Sequence, residues 1–309
     1  VTGRTSSSSS TSVALTPWSQ LRTGLRQRGY ALGTLWVMDT KPRRLQAGGM
    51  PEDTPAAVIQ SATTAGHRAG TVALPRLQAS RRESAKLTGS AAIEMAVVLQ
   101  SLMFAIDDPA ERDRLGQELV AARLASLGPG HPLTLEAELI RAGVMADFDE
   151  GRRAMRAPCE RLAALHPDQR TSIRECGHEL TWRAAAVGDR DATIIGARLV
   201  LAAAAPDARD SRIARARAYL AIASGTPEEA IGSLTSATPV GADAPWWQRM
   251  SVVDDGLALA LAELAQGRTA PAGAALARAT QVAGELLAAA PIDMRHRLDA
   301  IAAIRRRLP

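Results

Sequence analysis

The chain has 309 residues, of which 46% are hydrophobic and only 3% aromatic, and it carries a formal net charge of +5. Alanine supplies much of the apolar share, which favours closely packed helices, and two cysteines exclude a disulfide framework. The apolar runs are too short to span a membrane, and the run over residues 91–106 is interrupted by Glu94 and Gln100. We therefore expect a cytoplasmic protein with no membrane partner.

The amino-terminal part differs in charge from the rest of the chain. Residues 1–90 contain 12 basic and 4 acidic residues, whereas residues 91–309 contain 25 and 28. A Ser/Thr tract lies near the start, and residues 41–85 are rich in Gly, Pro, Thr and Arg. We predict that residues 1–89 are low-complexity and loop-rich, and largely disordered or weakly folded. Nucleic-acid binding by the basic region 22–86 is an alternative function, disfavoured because its arginines lie among glycines and prolines.

Helical patterns begin at residue 90. Residues 91–106 are helical in composition, Asp107-Asp108-Pro109 indicates a stop and a restart, and residues 110–127 form a second amphipathic pattern. The side chains expected on one side of this second helix are Leu115, Leu119 and Leu124. The segment Gly128-Pro129-Gly130-His131-Pro132 then predicts a break before the next helix.

A short polar turn recurs four times in the second half of the chain. Its copies begin at Ala146, Gly188, Gly225 and Gly267, each between two alanine-rich stretches. A glycine at such a turn allows one helix to end and the next to begin antiparallel to it. The recurring turn therefore predicts an all-α fold of stacked helical hairpins.

The string from Leu127 to Ala137, which contains Gly-Pro-Gly-His-Pro-Leu-Thr-Leu, resembles the linker between tetratricopeptide repeats. The best single repeat covers residues 214–237, where the turn lies at Gly225 and a small-residue position of the second helix at Ala230. Ala272 occupies the same offset in the following copy.

The chain departs from this family in repeat length and in side-chain size. The four turns are 42, 37 and 42 residues apart, whereas the standard repeat is about 34 residues. One position that the family fills with a bulky residue holds Leu135, Gly177, Ala214 and Gly256. The resemblance implies degenerate, lengthened repeats that form a right-handed α-solenoid of antiparallel hairpins over residues 90–309.

No motif in the sequence predicts catalysis. Cys159 and Cys176 flank Pro167, so an antiparallel helix pair would place the two sulfurs opposite each other. A zinc site closes with four ligands in compact pairs, so the two cysteines are predicted to be small buried packing residues. Neither lysine follows the glycine-rich run of a phosphate loop. We expect no catalytic residue, no metal and no cofactor, and hence no enzyme.

Two features near the carboxyl end are candidate binding elements. Trp246 and Trp247 follow Pro245 at a helix start, and they are predicted to pack across the preceding connection, with an exposed binding anchor as the alternative. An arginine cluster is assigned to a helix end and a solvated face, where positive charge is favourable without any ligand. Its members are Arg295, Arg297, Arg305, Arg306 and Arg307.

In tetratricopeptide arrays the first helix of each repeat lines the concave face, and this resemblance implies a set of ligand-facing positions. They are Glu175, His178, Trp182, Arg212, Arg215 and Tyr219. The two arginines would hold a carboxylate while the two aromatic residues cover apolar side chains. The alternative is that the aromatic residues fill gaps between lengthened repeats and that the arginines are solvated.

The resemblance implies a non-enzymatic helical-repeat protein that binds a protein or a peptide. A second hypothesis is that the chain is the detached carboxyl-terminal regulatory region of a larger bacterial signalling protein. The linker is similar to those of repeat arrays in serine/threonine kinases and large transcription regulators. Genomic sequence upstream of Val1 would distinguish the two.

Overall fold

All regular structure in the described part of the chain is helical. The computed structural model describes residues 108–204, 211–235, 240–241, 243–288 and 290–308, together with positions 99, 100, 103 and 106. Across these residues ten α-helices have defined bounds and no strand occurs, which confirms the predicted all-α class for them. The predictions for residues 1–89 lie outside the described residues, as does most of the helix predicted at 91–106, of which Leu99, Gln100 and Met103 are helical.

The ten helices follow one another with short connections. In chain order they are α1 Pro109–Leu127, α2 Pro132–Val144, α3 Phe148–Leu165, α4 Arg170–Val187, α5 Arg190–Ala202, α6 Ser211–Ser224, α7 Pro227–Thr235, α8 Trp246–Ala265, α9 Thr269–Leu286 and α10 Pro291–Arg305. None of them is long and apolar enough to cross a lipid bilayer. The restart predicted before residue 110 and the break predicted after residue 127 are both confirmed.

Side-chain caps explain several of the helix starts. The carboxylates of Asp108, Asp147 and Asp189 accept hydrogen bonds from backbone N–H groups in the first turns of α1, α3 and α5, at 3.0, 2.7 and 3.1 Å. Nδ1 of His131 accepts from the backbone N–H of Leu133 at 3.2 Å and caps α2 in the same way. Each cap satisfies an N–H group that has no partner within its own helix.

The recurring turn has the same backbone geometry in three of its four copies. Gly188, Gly225 and Gly267 have φ angles of 80°, 88° and 71°, a left-handed region that favours glycine. In each copy, the backbone N–H after the glycine bonds to the carbonyl five residues earlier, at 2.9 Å. The copy at Ala146 differs, because α2 ends through Met145 with φ −56° and ψ 140°. Helices α2 to α9 therefore form four consecutive hairpins.

Small residues at equivalent positions allow the two helices of a hairpin to approach closely. A Cβ atom on Gly177 would lie 2.8 Å from the carbonyl oxygen of Gly196 in α5. Gly256 precedes its turn by the same number of residues, and a Cβ atom on it would lie 2.9 Å from Cβ of Ala279 in α9. The position five residues after the start of each turn is buried in all four hairpins. Its occupants are Gly151, Thr193, Ala230 and Ala272.

One prediction for α1 is wrong. Leu115 and Leu119 are buried as expected, but Leu124 is 45% exposed. The buried stripe of α1 continues through Arg123 instead. Successive residues are about 100° apart around a helix, so Leu124 lies beside that stripe and faces solvent.

The last helix returns to the earlier hairpins. α10 packs against α9, but also against α8 and against α4, while α4, α6 and α8 pack against one another. Beyond the end of α10, Nη1 of Arg307 donates to the carbonyl oxygen of Ala185 at 3.1 Å. One large apolar core accordingly joins α4 to the helices α6 to α10. The predicted right-handed solenoid stays a prediction.

Candidate functional site

Helices α4, α6, α8 and α10 meet around Trp182, whose side chain is 1% exposed. The guanidinium carbons of Arg183 and Arg297 lie 5.1 and 5.0 Å from its ring centroid, within the range of a cation–π interaction. The ring centroid of Phe148 lies 5.9 Å from the ring centroid of Trp182. We call the charged groups buried here the ionic cluster. Its members are His178, Glu179, Arg183, Arg215, Asp254 and Arg297.

The shortest hydrogen bond of the ionic cluster joins α10 to α8. Nε of Arg297 donates to Oδ1 of Asp254 at 2.7 Å, and Nη2 donates to Oδ2 at 3.3 Å. Burial alone would raise the pKa of Asp254, but Arg297, His178 and Arg215 outweigh it and hold that pKa well below the usual range. Burial likewise opposes the charge of Arg297, yet Asp254 and Glu179 raise its pKa. Both groups are therefore ionised.

Helix α6 contributes a second arginine, which contacts Asp255 and approaches Asp254. Nη1 of Arg215 lies 2.9 Å from Oδ1 of Asp255 and Nη2 lies 4.0 Å from Oδ2 of Asp254. On the other side, Nε2 of His178 lies 3.4 Å from Oδ2 of Asp254. Asp254 thus faces nitrogen atoms from α4, α6 and α10, so its carboxylate links these three helices to α8.

Glu179 organises the part of the ionic cluster that lies on α4. It accepts hydrogen bonds from Nε1 of Trp182 at 3.1 Å and from Nε of Arg183 at 3.2 Å. Nη2 of Arg297 lies 3.9 Å from it. Burial would raise the pKa of Glu179, but Arg183 and Arg297 lower it, so the carboxylate is charged.

Two titratable groups of α10 border the ionic cluster, and in both of them burial prevails and disfavours the charged form. Burial, reinforced by Glu179 and offset only in part by Arg297, raises the pKa of Asp293 to about 6. Burial and the neighbouring arginines Arg183 and Arg297 keep the pKa of His296 well below its ordinary value. The imidazole is therefore neutral near pH 7.

The structure brings four of the six predicted binding residues to this place. His178, Trp182, Arg215 and Tyr219 are all buried in or beside the ionic cluster. The other two, Glu175 and Arg212, form an ion pair with each other, and their side chains are 14% and 30% exposed. The carboxylates that the two arginines were predicted to hold are present within the chain, as Glu175 and Asp255. Binding of a partner by this set stays a prediction.

The sequence interpretation missed Asp254 and assigned Arg297 to a solvated face, which is wrong. Arg297 is 1% exposed because it lies on the apolar stripe of α10, three residues after Met294 and four before Ile301. Asp254 lies between Met250 and Leu257 on the stripe of α8 in the same way. A charged residue within an apolar stripe was the signal that could have found both.

The remaining arginines of the terminal cluster are placed as expected, and one of the two tryptophan side chains is described. Arg295, Arg305, Arg306 and Arg307 are exposed. Trp246 begins α8 and packs against the large apolar core, whereas the side chain of Trp247 lies outside the described residues. Packing of the pair across the preceding connection stays a prediction.

The two cysteines face each other across α3 and α4. Cys159 and Cys176 are free and buried. Burial and then the hydrogen-bonded side chain of Cys176 raise the pKa of Cys159 well above its ordinary value. Such a thiol is a poor nucleophile. Within the described ranges no group of three or more His, Cys, Asp or Glu side chains is arranged to hold a metal ion.

Comparison with models of known protein families finds no match, and comparison with curated proteins finds no significant relative.

Proposed function

We propose that the protein is a non-enzymatic helical-repeat protein that binds another protein or a peptide through one side of α4, α6 and α8. We call this side the binding face and define it by Glu175, His178 and Trp182 on α4, Arg212, Arg215 and Tyr219 on α6, and Asp254 on α8. Residues three or four apart lie on the same side of a helix, so each set faces one direction.

The observation that carries this proposal is that the binding face already holds a helical segment. α10 packs against α4 and α8, and it contributes the buried Arg297 to a carboxylate of the binding face. Its apolar side chains complete the large core. The face therefore combines apolar burial with a specific charge pair, the two features of a tight helix-binding surface.

The electrostatics favour recognition over chemistry. A general acid or base must reach a substrate and titrate near the working pH. The carboxylates of Glu179 and Asp254 are instead buried, paired with arginines and held in the charged form. Groups fixed in this way position helices.

The accessible part of the binding face gives a test. A partner would first meet Glu175 and Arg212, the two members that retain exposure. Full-length protein is used as bait, the captured partner is identified by mass spectrometry, and its affinity is measured by isothermal titration. Reversing a charge that contacts the partner weakens binding by at least about tenfold. We expect this loss in Arg212→Glu.

The matched control is Arg278→Glu, because Arg278 is exposed on α9, away from the binding face. We expect its affinity to stay within about twofold of the unmodified protein. The double variant Glu175→Arg/Arg212→Glu restores the ion pair within the chain while it keeps the reversed charge at residue 212, so its binding stays weak. Equal losses in Arg212→Glu and Arg278→Glu, or none in either, contradict the proposal.

A further inference from the structure

We propose that α10 is a displaceable internal ligand of the binding face, and that the external partner is an amphipathic helix with one arginine in the middle of its apolar side. This inference rests on the proposed function and names the class of partner. It follows from the side chains that α10 places on the face, from the way its arginine is held, and from polar atoms in and beside the ionic cluster that have no hydrogen-bond partner.

The side of α10 that contacts the rest of the protein is an apolar stripe that contains one arginine. Met294, Arg297, Ile301 and Ile304 are all buried to within 1% of full burial. Their spacings of three, four and three residues place them on one side of the helix. The opposite side is exposed at Arg295, Asp299, Ala302 and Arg305. α10 is therefore an amphipathic helix whose apolar stripe is interrupted by one guanidinium, with Asp293 and the neutral His296 beside it.

The guanidinium of Arg297 is held by groups from two other helices. Asp254 of α8 receives two hydrogen bonds, Glu179 of α4 lies 3.9 Å away, and the ring of Trp182 is stacked at 5.0 Å. A planar guanidinium can donate two hydrogen bonds to one carboxylate while its face lies over an aromatic ring, and a lysine ammonium lacks this planar geometry. The binding face is thus complementary to an arginine on a helix.

Polar atoms in and beside the ionic cluster have no hydrogen-bond partner while α10 is packed there. In the described part of the chain, Nη1 of Arg183, Nε of Arg215 and the hydroxyl of Tyr219 are buried with no hydrogen-bond partner. Nδ1 of His296, on α10 itself, is in the same state. A buried polar atom without a partner destabilises the contact, and buried ion pairs stabilise less than apolar packing of the same volume. A helix that also supplied acceptors to the unpaired atoms of Arg183, Arg215 and Tyr219 would displace α10.

The first test removes the hold on α10 and offers a replacement. In full-length Arg297→Glu, a carboxylate faces Asp254 and Glu179, so α10 is repelled from the face. The probe is a fluorescein-labelled peptide with the sequence of residues 290–308. By fluorescence anisotropy, we expect it to bind this variant at least about tenfold more tightly than the unmodified chain.

Two controls isolate the arginine. Arg295→Glu makes the same charge change on the exposed side of α10, and we expect it to bind the peptide no better than the unmodified chain. A peptide with Arg297→Lys should bind full-length Arg297→Glu about tenfold more weakly than the unmodified peptide. Equal binding to Arg297→Glu, Arg295→Glu and the unmodified chain, or no binding to any of them, overturns the inference.

Hydrogen exchange on the unmodified chain keeps the test decisive if Arg297→Glu fails to fold. We expect amides of α10 to exchange as one unit, at least about tenfold faster than amides of α4 and α8. Equal protection of the three helices overturns the inference. A sensitivity of partner binding to Arg212→Glu would still support the proposed function in that case, so failure of the two proposals can be told apart.

Discussion

Substitution of Gly196 by alanine tests how closely α4 and α5 approach. A Cβ atom on Gly196 would lie 2.5 Å from Oγ1 of Thr181, 2.7 Å from the carbonyl oxygen of Gly177 and 2.9 Å from the amide nitrogen of Thr181. Two of these atoms belong to the backbone, so a rotamer change relieves neither and the helices must separate. Overpacking costs up to about 3 kcal/mol, while alanine gains about 1 kcal/mol of helix propensity over glycine. We expect Gly196→Ala to lower the free energy of unfolding by about 2 kcal/mol.

The same substitution at two other helical glycines provides matched controls. An added Cβ on Gly284 has no heavy atom within 4 Å, so Gly284→Ala should raise the free energy of unfolding by up to about 1 kcal/mol. Gly256 is intermediate, because its added Cβ would lie 2.9 Å from Cβ of Ala279 and 3.3 Å from the carbonyl oxygen of Ala275. We expect Gly256→Ala to lower the free energy of unfolding by about 1 kcal/mol.

The assay is urea denaturation of the three variants and the unmodified chain, followed by far-UV circular dichroism. For a folded unit of 150 to 250 residues, 2 kcal/mol corresponds to about 4 to 8 °C in melting temperature, which thermal scans resolve. The rank order is the critical result. If Gly196→Ala is as stable as Gly284→Ala, the close approach of α4 and α5 is wrong, and so is the packing that places the binding face.

Three further predictions concern the hairpins and the ionic cluster. Ala230 and Ala272 are fully buried, so Ala230→Leu and Ala272→Leu should each cost about 1 to 3 kcal/mol; unchanged melting temperatures in both would refute their equivalence. The pKa of Asp293 is raised to about 6, so the folded state holds the proton of this carboxyl more tightly than the unfolded state. The resulting contribution to the free energy of unfolding is complete below about pH 4 and is lost as the pH rises through about 6. Urea denaturation at pH 4.5 and at pH 7.5 gives the free energy of unfolding of Asp293→Asn relative to that of the unmodified chain. This difference should rise by about 1 to 3 kcal/mol in favour of the variant between the two pH values, and no rise would contradict the burial of that carboxyl. Arg215→Glu adds a negative charge beside two carboxylates of α8 and should cost at least about 3 kcal/mol, whereas the exposed Arg278→Glu should change stability by less than about 0.5 kcal/mol; equal effects would argue against the buried ion pairs.

The features that could be predicted from the sequence are those set by local backbone chemistry. A glycine in a left-handed conformation ends a helix whatever surrounds it, so the turns at Gly188, Gly225 and Gly267 were visible. An aspartate before a helix caps it through an atom two or three residues away, as Asp147 does. The small residues five positions after each turn follow from the same repeating register.

The features that could not be predicted depend on contacts between distant segments. Arg297 and Asp254 are 43 residues apart, and the hydrogen bond of Arg297 to the carbonyl oxygen of Asp293 within α10 does not indicate the pair. The return of α10 to α4 joins Arg307 to Ala185 across 122 residues, and no local pattern encodes that distance. Composition alone assigns a charged residue to solvent, and only the stripe around it argues otherwise.

The ionic cluster also determines the register of α10, which the apolar stripe cannot do by itself. Met294, Ile301 and Ile304 are interchangeable hydrophobic side chains, so a shift of α10 by one helical turn would still bury most of them. That shift would move Arg297 about 5.4 Å along the helix axis and leave Asp254 buried without its main counter-charge. Such a loss costs about 3 to 5 kcal/mol, which exceeds the few tenths to 1.5 kcal/mol that distinguish similar aliphatic side chains at one site. The charge pair therefore selects one register among several of similar apolar burial. If the proposed partner helix binds the same face, it must place its arginine at the same point, so the proposal assigns specificity to the ionic cluster and affinity to the apolar stripe.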